Sequence, residues 1–349
     1  MFFASDNWSG VHPAIAASLN QHSQGAVAAY GQSALDRQVA AQFNEVFERE
    51  VAVYFVGTGT AANALALSAY NRPGGVVLCH AEAHIHVDEC GAPEFFSPGA
   101  KLAAVSGAHG LMNSAALASK LAGFDPQFVH GGQPMAISVS QPGEAGTLYS
   151  AAALAEISQL AHQHALPLHM DGARFANALV ATGLTPAQMT WQAGVDVMSF
   201  GGTKNGCWCA EAVVFFNPEQ ARQFPYIRKR SAQLFSKSRF IAAQFLAYFQ
   251  NNLWLELAAH SNAMATLLRQ AINSSPTSRL AWDGTTNEAF VIVPNAAAER
   301  LQAAGSMFYD WPVPDPADFI IQPDERLLRL VTSWSTSQQE IEQFSDFLD

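Results

Sequence analysis

The feature that most constrains this chain is a repeated alternation of short apolar runs with helical segments. Residues 51–56 read as a strand, followed by Gly57-Thr58-Gly59-Thr60 and a helix over 61–70. Residues 75–79, 135–139, 166–170, 192–200 and 211–216 read as further strands, and Ser150 caps a helix over 150–164. A βαβα rhythm of this kind builds an α/β fold, a mostly parallel sheet with helices on both faces. The rhythm changes near residue 240, where a long helical segment over 240–270 leads into a mixed region with strands at 289–293 and 327–332. The expected organisation is a large α/β domain over residues 1–243, N-terminal arm included, and a smaller α+β domain over 244–349.

Composition narrows the partners. The chain has 349 residues, with 18 Lys plus Arg against 29 Asp plus Glu, for a net charge of −11. A nucleic-acid binder needs a basic face, and the basic residues cluster only at Arg228-Lys229-Arg230 with Lys237 and Arg239, so nucleic acid is not expected as a principal partner. Charged residues make up 13% of the chain, well below the usual share of about 25%, which leaves surface for subunit contacts and predicts an oligomer. The most apolar stretch, 51–70, is interrupted by Gly57, Thr58, Gly59, Thr60, Asn63 and Ser68, so no membrane span is expected. The N-terminus lacks a basic segment followed by an apolar core, and Cys79, Cys90, Cys207 and Cys209 do not form a disulfide framework; both point to a cytoplasmic protein with reduced thiols.

In an open parallel sheet, ligands sit at the carboxyl ends of strands. Four segments there carry reactive groups. Gly57-Thr58-Gly59-Thr60 joins a strand to a helix and fits a phosphate at a helix N-terminus, or is an ordinary cap and turn; it is neither a Walker loop nor a Gly-x-Gly-x-x-Gly fingerprint. Lys204, in Gly201-Gly202-Thr203-Lys204-Asn205, is placed to form a Schiff base with a carbonyl, or to extend its amine into water. Asp171, following the strand 166–170, suits a pyridinium nitrogen, or caps the next helix; Asp196, inside an apolar strand, reads as structural. His84 and Asp88, spaced i, i+4, would share a helix face, the carboxylate orienting the imidazole; His84 with His86 and Asp88 as metal ligands, or a structural histidine, are the alternatives. A phosphate cradle, an acid, an imidazole and a lysine 33 positions after the acid are together the inventory of a pyridoxal 5'-phosphate site. A nucleoside-phosphate site would leave Lys204 and Asp171 without matched tasks.

The chain resembles the L-threonine aldolase family, in its bacterial low-specificity form, within the type I (aspartate-aminotransferase) fold of pyridoxal phosphate enzymes. The resemblance runs through Ala4-Ser5-Asp6-Asn7-Trp8-Ser9-Gly10, Ala29-Tyr30-Gly31, Gly59-Thr60-Ala61-Ala62-Asn63, Ala83-His84, residues 88–96 (DECGAPEFF), 168–175 (LHMDGARF), 200–205 (FGGTKN) and 329–334 (RLVTSW). It implies that Lys204 carries the cofactor, Asp171 pairs with its ring nitrogen, His84 stacks on the ring, and Gly59 and Thr60 bind phosphate. Ser5, Arg174 and Arg329 would hold the substrate carboxylate, arginine being suited to bidentate binding. Tyr30 and Lys229, with Arg174, complete the implied cofactor contacts, Tyr30 and Lys229 reaching a neighbouring subunit's site in a homodimer or homotetramer. Where many members carry a second active-site histidine this chain has Glu144, so the base acting on the β-hydroxyl is His84, Glu144 or a water. Gln32 and Ser33 also replace the acidic residues usual after the Tyr-Gly pair. The implied reaction is retro-aldol cleavage of L-threonine, L-allo-threonine or a related β-hydroxy-α-amino acid to glycine and an aldehyde, with no metal. A β-elimination, racemisation or transamination on the same cofactor, or a non-catalytic amino-acid-binding protein, are the competing readings.

Overall fold

The computed structural model describes residues 1–314, 317 and 319–348. Seven strands form the main sheet: β1 (Ala52–Val56), β2 (Gly75–His80), β3 (Lys101–Val105), β4 (Gln133–Ser140), β5 (Leu168–Gly172), β6 (Val197–Gly201) and β7 (Glu211–Phe215), in the spatial order β1-β7-β6-β5-β4-β2-β3. The pairs β3/β2, β2/β4, β4/β5 and β5/β6 are parallel, and β7 runs antiparallel to both β6 and β1. Strands β2, β5, β6 and β7 are buried along their whole length; residues 76–79 and 212–215 accordingly read as continuous apolar runs, while β5 buries His169 and Asp171 between apolar residues.

Helices cover both faces. On one, Val56, Val197, Val213 and Phe215 pack against Ala61, Ala62, Leu65 and Ala66 of the helix Gly59–Ser68. On the other, Phe200 and Val214 meet Phe43, Phe47, Phe245 and Phe249. Phe43 stands edge-on to Phe200, Phe245 and Phe249 with centroids 5.2, 5.3 and 4.9 Å apart, contacts that add about 0.5–1.5 kcal/mol each beyond their area burial.

The smaller unit has a four-stranded antiparallel sheet of β8 (Arg279–Leu280), β9 (Glu288–Pro294), β10 (Tyr309–Asp310) and β11 (Glu325–Val331), in the order β10-β11-β9-β8. Its core holds Leu268, Ile272, Val291, Leu328 and Phe344. Phe3 is buried in this same core, and its carbonyl accepts from Val331 N at 2.8 Å, so the N-terminal arm crosses to the smaller unit instead of staying with the large one.

Four local expectations change. The helix expected over 61–70 begins at Gly59, because Thr58 Oγ1 takes the Ala61 N–H at 3.1 Å and caps it there. Strand β3, which starts with an exposed lysine and pairs only at the sheet edge, carries too weak a pattern to be read from sequence. Asp196 precedes β6 instead of lying inside it, and it accepts from Leu168 N and pairs with His162. The segment 240–270 is two helices, Arg239–Phe249 and Leu253–Ser274, because Asn251 and Asn252 take left-handed backbone angles between them. Residue 243 lies in the first of these helices, whose Ala242 and Phe245 belong to the large core; the cores change over along the second, Trp254 and Ala258 belonging to the large one and Leu268 and Ile272 to the small.

Candidate active site

A cavity of about 390 Å³ opens where the carboxyl ends of β1, β5 and β6 meet. Asp171 is the fourth residue of β5, inside the strand and not after it. Its Oδ1 accepts from Ala173 N at 3.0 Å and its Oδ2 from Asn63 Nδ2 at 2.7 Å. Lys204 enters from the next strand. Strand β6 ends at Gly201, and a single 3-10 turn, Thr203–Asn205, carries the lysine back over the sheet edge. Asn205 ties that turn to the core by donating to Tyr248 Oη and to the Trp254 carbonyl, each at 2.8 Å. Gly201 permits the close approach of the two strand ends: a Cβ there would lie 2.7 Å from the Ala173 carbonyl oxygen and 2.8 Å from its Cα.

His84 reaches the cavity from the single-turn helix His84–Val87. Its partner is not Asp88. The helix stops at Val87 and Asp88 closes it as the C-cap, its N–H donating to the His84 carbonyl at 2.9 Å while the residue lies exposed to solvent. The buried Glu89 takes the role instead, its Oε1 lying 2.9 Å from His84 Nδ1 and accepting from Asn63 Nδ2 at 2.8 Å. Asp171, Asn63, Glu89 and His84 thus form one hydrogen-bonded chain along the cavity wall. The hydrogen bond to Glu89 holds the His84 imidazole above its ordinary range, and the Glu144 and Asp171 charges add to this against the effect of burial. Burial pushes Glu89 up, against the bonds from His84 and Asn63. Behind Asp171, His169 is buried between Ser138 Oγ and Ser199 Oγ, and burial pushes it down to about 4.

The opposite end of the cavity is the N-terminus of the helix Gly59–Ser68. Gly59 and Thr60 form its first turn on the cavity wall, and a Cβ on Gly59 would meet nothing within 4 Å. Gly57 packs tightly: a Cβ there would lie 2.8 Å from the Phe235 ring, and its N–H donates to Gln233 Oε1 at 3.0 Å.

Of the residues implied by resemblance, Lys204, Asp171, His84, Glu144, Gly59 and Thr60 share this cavity. Arg174, Ser5, Arg329, Tyr30 and Lys229 do not line it. Arg174 is buried, with Nε 2.6 Å and Nη2 3.1 Å from the two Asp6 oxygens and Nη1 3.5 Å from Glu288 Oε1. Burial pushes the Asp6 carboxyl up, but Arg174, Lys204 and the bond from Asn287 outweigh it and hold the group below its usual range. Ser5 caps the turn Asp6–Trp8 by accepting from Asn7 N. Arg329 lies over the Trp311 ring at 4.6 Å, with Nη2 3.5 Å from the Ala4 carbonyl. Tyr30 and Lys229 are exposed and meet each other, Nζ standing 5.5 Å from the ring centroid. Sequence reasoning missed Asn63, Glu89 and Glu211, all on the cavity wall. Asn63 and Glu89 both sit within segments the resemblance picks out, but only the fold shows that they bond to each other.

A cofactor with an aldehyde, a ring nitrogen and a phosphate fits this set. The amine of Lys204, a buried carboxylate held by two donors, and an open helix N-terminus all face one space. The mostly parallel sheet with its small antiparallel unit, and this site at its strand ends, define a pyridoxal phosphate enzyme of fold type I. Within that class the chain belongs to the beta-eliminating lyase family, whose sequence model matches residues 3–295. It is 39% identical over 307 residues to the low specificity L-threonine aldolase of Pseudomonas sp. strain NCIMB 10558, covering 88% of each chain. It is 37% identical over 343 residues to the low specificity L-threonine aldolase of Pseudomonas aeruginosa, covering 98% of this chain and 95% of that one. Its structure matches the threonine aldolase of Leishmania major with a TM-score of 0.91 at 29% identity, covering 99% of this chain and 98% of the other.

Proposed function

We propose that this chain cleaves L-threonine, L-allo-threonine and related β-hydroxy-α-amino acids to glycine and an aldehyde. The observation that carries the reading is the placement of Lys204, the Asp171–Asn63–Glu89–His84 chain and the residue 57–60 cradle around one cavity. The identity to aldolases over nearly the whole chain supports it.

In this reading Lys204 would hold the cofactor through its aldehyde, Asp171 would pair with the ring nitrogen, His84 would stack on the ring, and Gly59 and Thr60 would bind the phosphate. With Asp171 keeping its nitrogen protonated, the bound ring supplies the sink for the electron pair left on Cα when the Cα–Cβ bond breaks. Arg329 and Ser5 would grip the substrate carboxylate. Arg174 would join them by giving up Glu288, the longer of its two acidic contacts. The proton of the β-hydroxyl would pass to His84, whose affinity for it the Glu89 bond and the Glu144 charge raise, or to Glu144 itself.

Exposed Tyr30 and Lys229, which do not line their own chain's cavity, support a homodimer or homotetramer in which they complete a neighbour's site. Among the described residues no helix is long and apolar enough to cross a membrane. Free cysteines at 79, 90, 207 and 209 support action in the cytoplasm.

The test is to incubate the purified protein with L-threonine and L-allo-threonine and to quantify acetaldehyde and glycine. Equimolar release of both, lost in Lys204→Ala, is expected. A keto acid with ammonia in place of glycine would replace the aldolase reading with β-elimination, and no turnover with cofactor bound would leave a binding protein.

A further inference from the structure

Glu211 has no task in the reaction above, yet it lines the same cavity. It is the first residue of β7 and stands opposite Val56 of β1, the residue just before Gly57-Thr58-Gly59. Directly opposed residues of an antiparallel pair point to one face, and Val56 faces the helix Gly59–Ser68. Glu211 therefore lies beneath the N-terminus of that helix. It is buried, and its Oε1 accepts from Thr203 N at 3.4 Å. The titratable groups around it are Lys204 on the turn after β6, Asp171 on β5, Cys207 and Cys209 before β7, and Tyr248 from the helix Arg239–Phe249; the helix Gly59–Ser68 carries no charged side chain. Among this chain's described residues lining the cavity, Lys204 is the one lysine or arginine, against the carboxylates of Glu89, Glu144, Asp171 and Glu211. An ionised Glu211 would take for itself the positive end of the helix that a phosphate needs.

We propose that Glu211 is the proton-accepting floor of the phosphate cradle, so that loading of the phosphorylated cofactor is coupled to uptake of one proton by this carboxyl, which then donates a hydrogen bond to a phosphate oxygen. Burial supports this, pushing Glu211 up to about 7 against the bonds from Thr203 and the Lys204 charge. The group is thus poised to gain a proton at working pH when negative charge arrives. The inference rests on the reading of residues 57–60 as the phosphate site.

The full chain, freed of cofactor, is titrated at pH 8 with pyridoxal phosphate and with pyridoxal, by calorimetry in buffers of different ionisation heat. Wild type is expected to take up nearly one proton more than Glu211→Gln with pyridoxal phosphate, and no more than it with pyridoxal. Its affinity for pyridoxal phosphate should fall roughly tenfold per pH unit above the midpoint, relative to the variant. Equal uptake by the two proteins, or the same difference with pyridoxal, overturns the proposal. Should the variant fail to fold, infrared difference spectra of wild type at pH 8 decide: a protonated-carboxyl band that appears on loading supports the proposal, and its absence overturns it. Gly59→Asp separates the two layers, since there is room for its side chain. If it leaves the preference for pyridoxal phosphate over pyridoxal unchanged, the cradle reading falls and takes this inference with it. If that preference is lost while uptake in wild type and Glu211→Gln is equal, only the role of Glu211 falls.

Discussion

Replacing Glu89 by Gln keeps the shape of the side chain and removes its charge. In the wild type its Oε1 bridges His84 Nδ1 at 2.9 Å and Asn63 Nδ2 at 2.8 Å, with the Glu89 side chain fully buried and that of His84 30% exposed. A hydrogen bond to a charged partner contributes about 1.5–3 kcal/mol and a neutral one about 0.5–1.5. The substitution therefore costs the protonated imidazole on the order of 1 kcal/mol, which is roughly one pH unit in the His84 titration. The direction is fixed by linkage. His84 is held above its ordinary 6.5 in the folded protein, so the stability it contributes is fully present below pH 6.5 and is lost as pH rises through the folded value. Glu89→Gln should then be more destabilised, relative to wild type, at pH 6 than at pH 9. At high pH the lost contact no longer involves a charged imidazole, and the variant is relieved of a buried carboxylate. The assay is the pH titration of the His84 ring proton by NMR, with thermal melts at both pH values. An unchanged His84 midpoint, or a stability loss equal at both pH values, would refute the argument that Glu89 sets the charge of this imidazole.

Three further outcomes are expected. Asp171→Asn should lower kcat by on the order of 10²-fold or more, because the ring nitrogen loses its charged partner and the new amide can accept from only one of the two donors, Asn63 Nδ2 and Ala173 N, that hold the carboxylate; steady-state kinetics at saturating cofactor check this. Gly201→Ala places a methyl group within 2.8 Å of the Ala173 backbone, so urea unfolding should show a loss of about 1–3 kcal/mol, accompanied by weaker cofactor absorbance as Lys204 and Asp171 move apart. Asp6→Asn strips Arg174 of its bidentate partner; since Asp6 is held below its ordinary 3.8, the wild-type advantage should be present above that pH and vanish as pH falls through the folded value, measured by chemical denaturation from pH 7 to pH 3.

What the sequence determined by itself was the alternation that makes a parallel sheet and the identity of the groups at its strand ends. Lys204, Asp171 and the residue 57–60 turn are legible because each sits at the end of a mostly apolar run, and the physics of burial ties such runs to strands and their carboxyl ends to ligands. The tertiary structure decided the partners. Asp88 looked like the companion of His84 from its i, i+4 spacing, yet it closes the single-turn helix as an exposed C-cap, and the buried Glu89 takes the role. Arg174 looked free to bind a substrate, yet residues far away in the chain, Asp6 and Glu288, occupy its three nitrogens. Glu211 reads as the unremarked start of an apolar strand, and only the antiparallel register against β1 puts it beneath a helix N-terminus. Local sequence carries periodicity, which sets secondary structure. The bonds of a buried polar group depend on which distant strands and loops close over it, and a single chain's local pattern does not encode those distances.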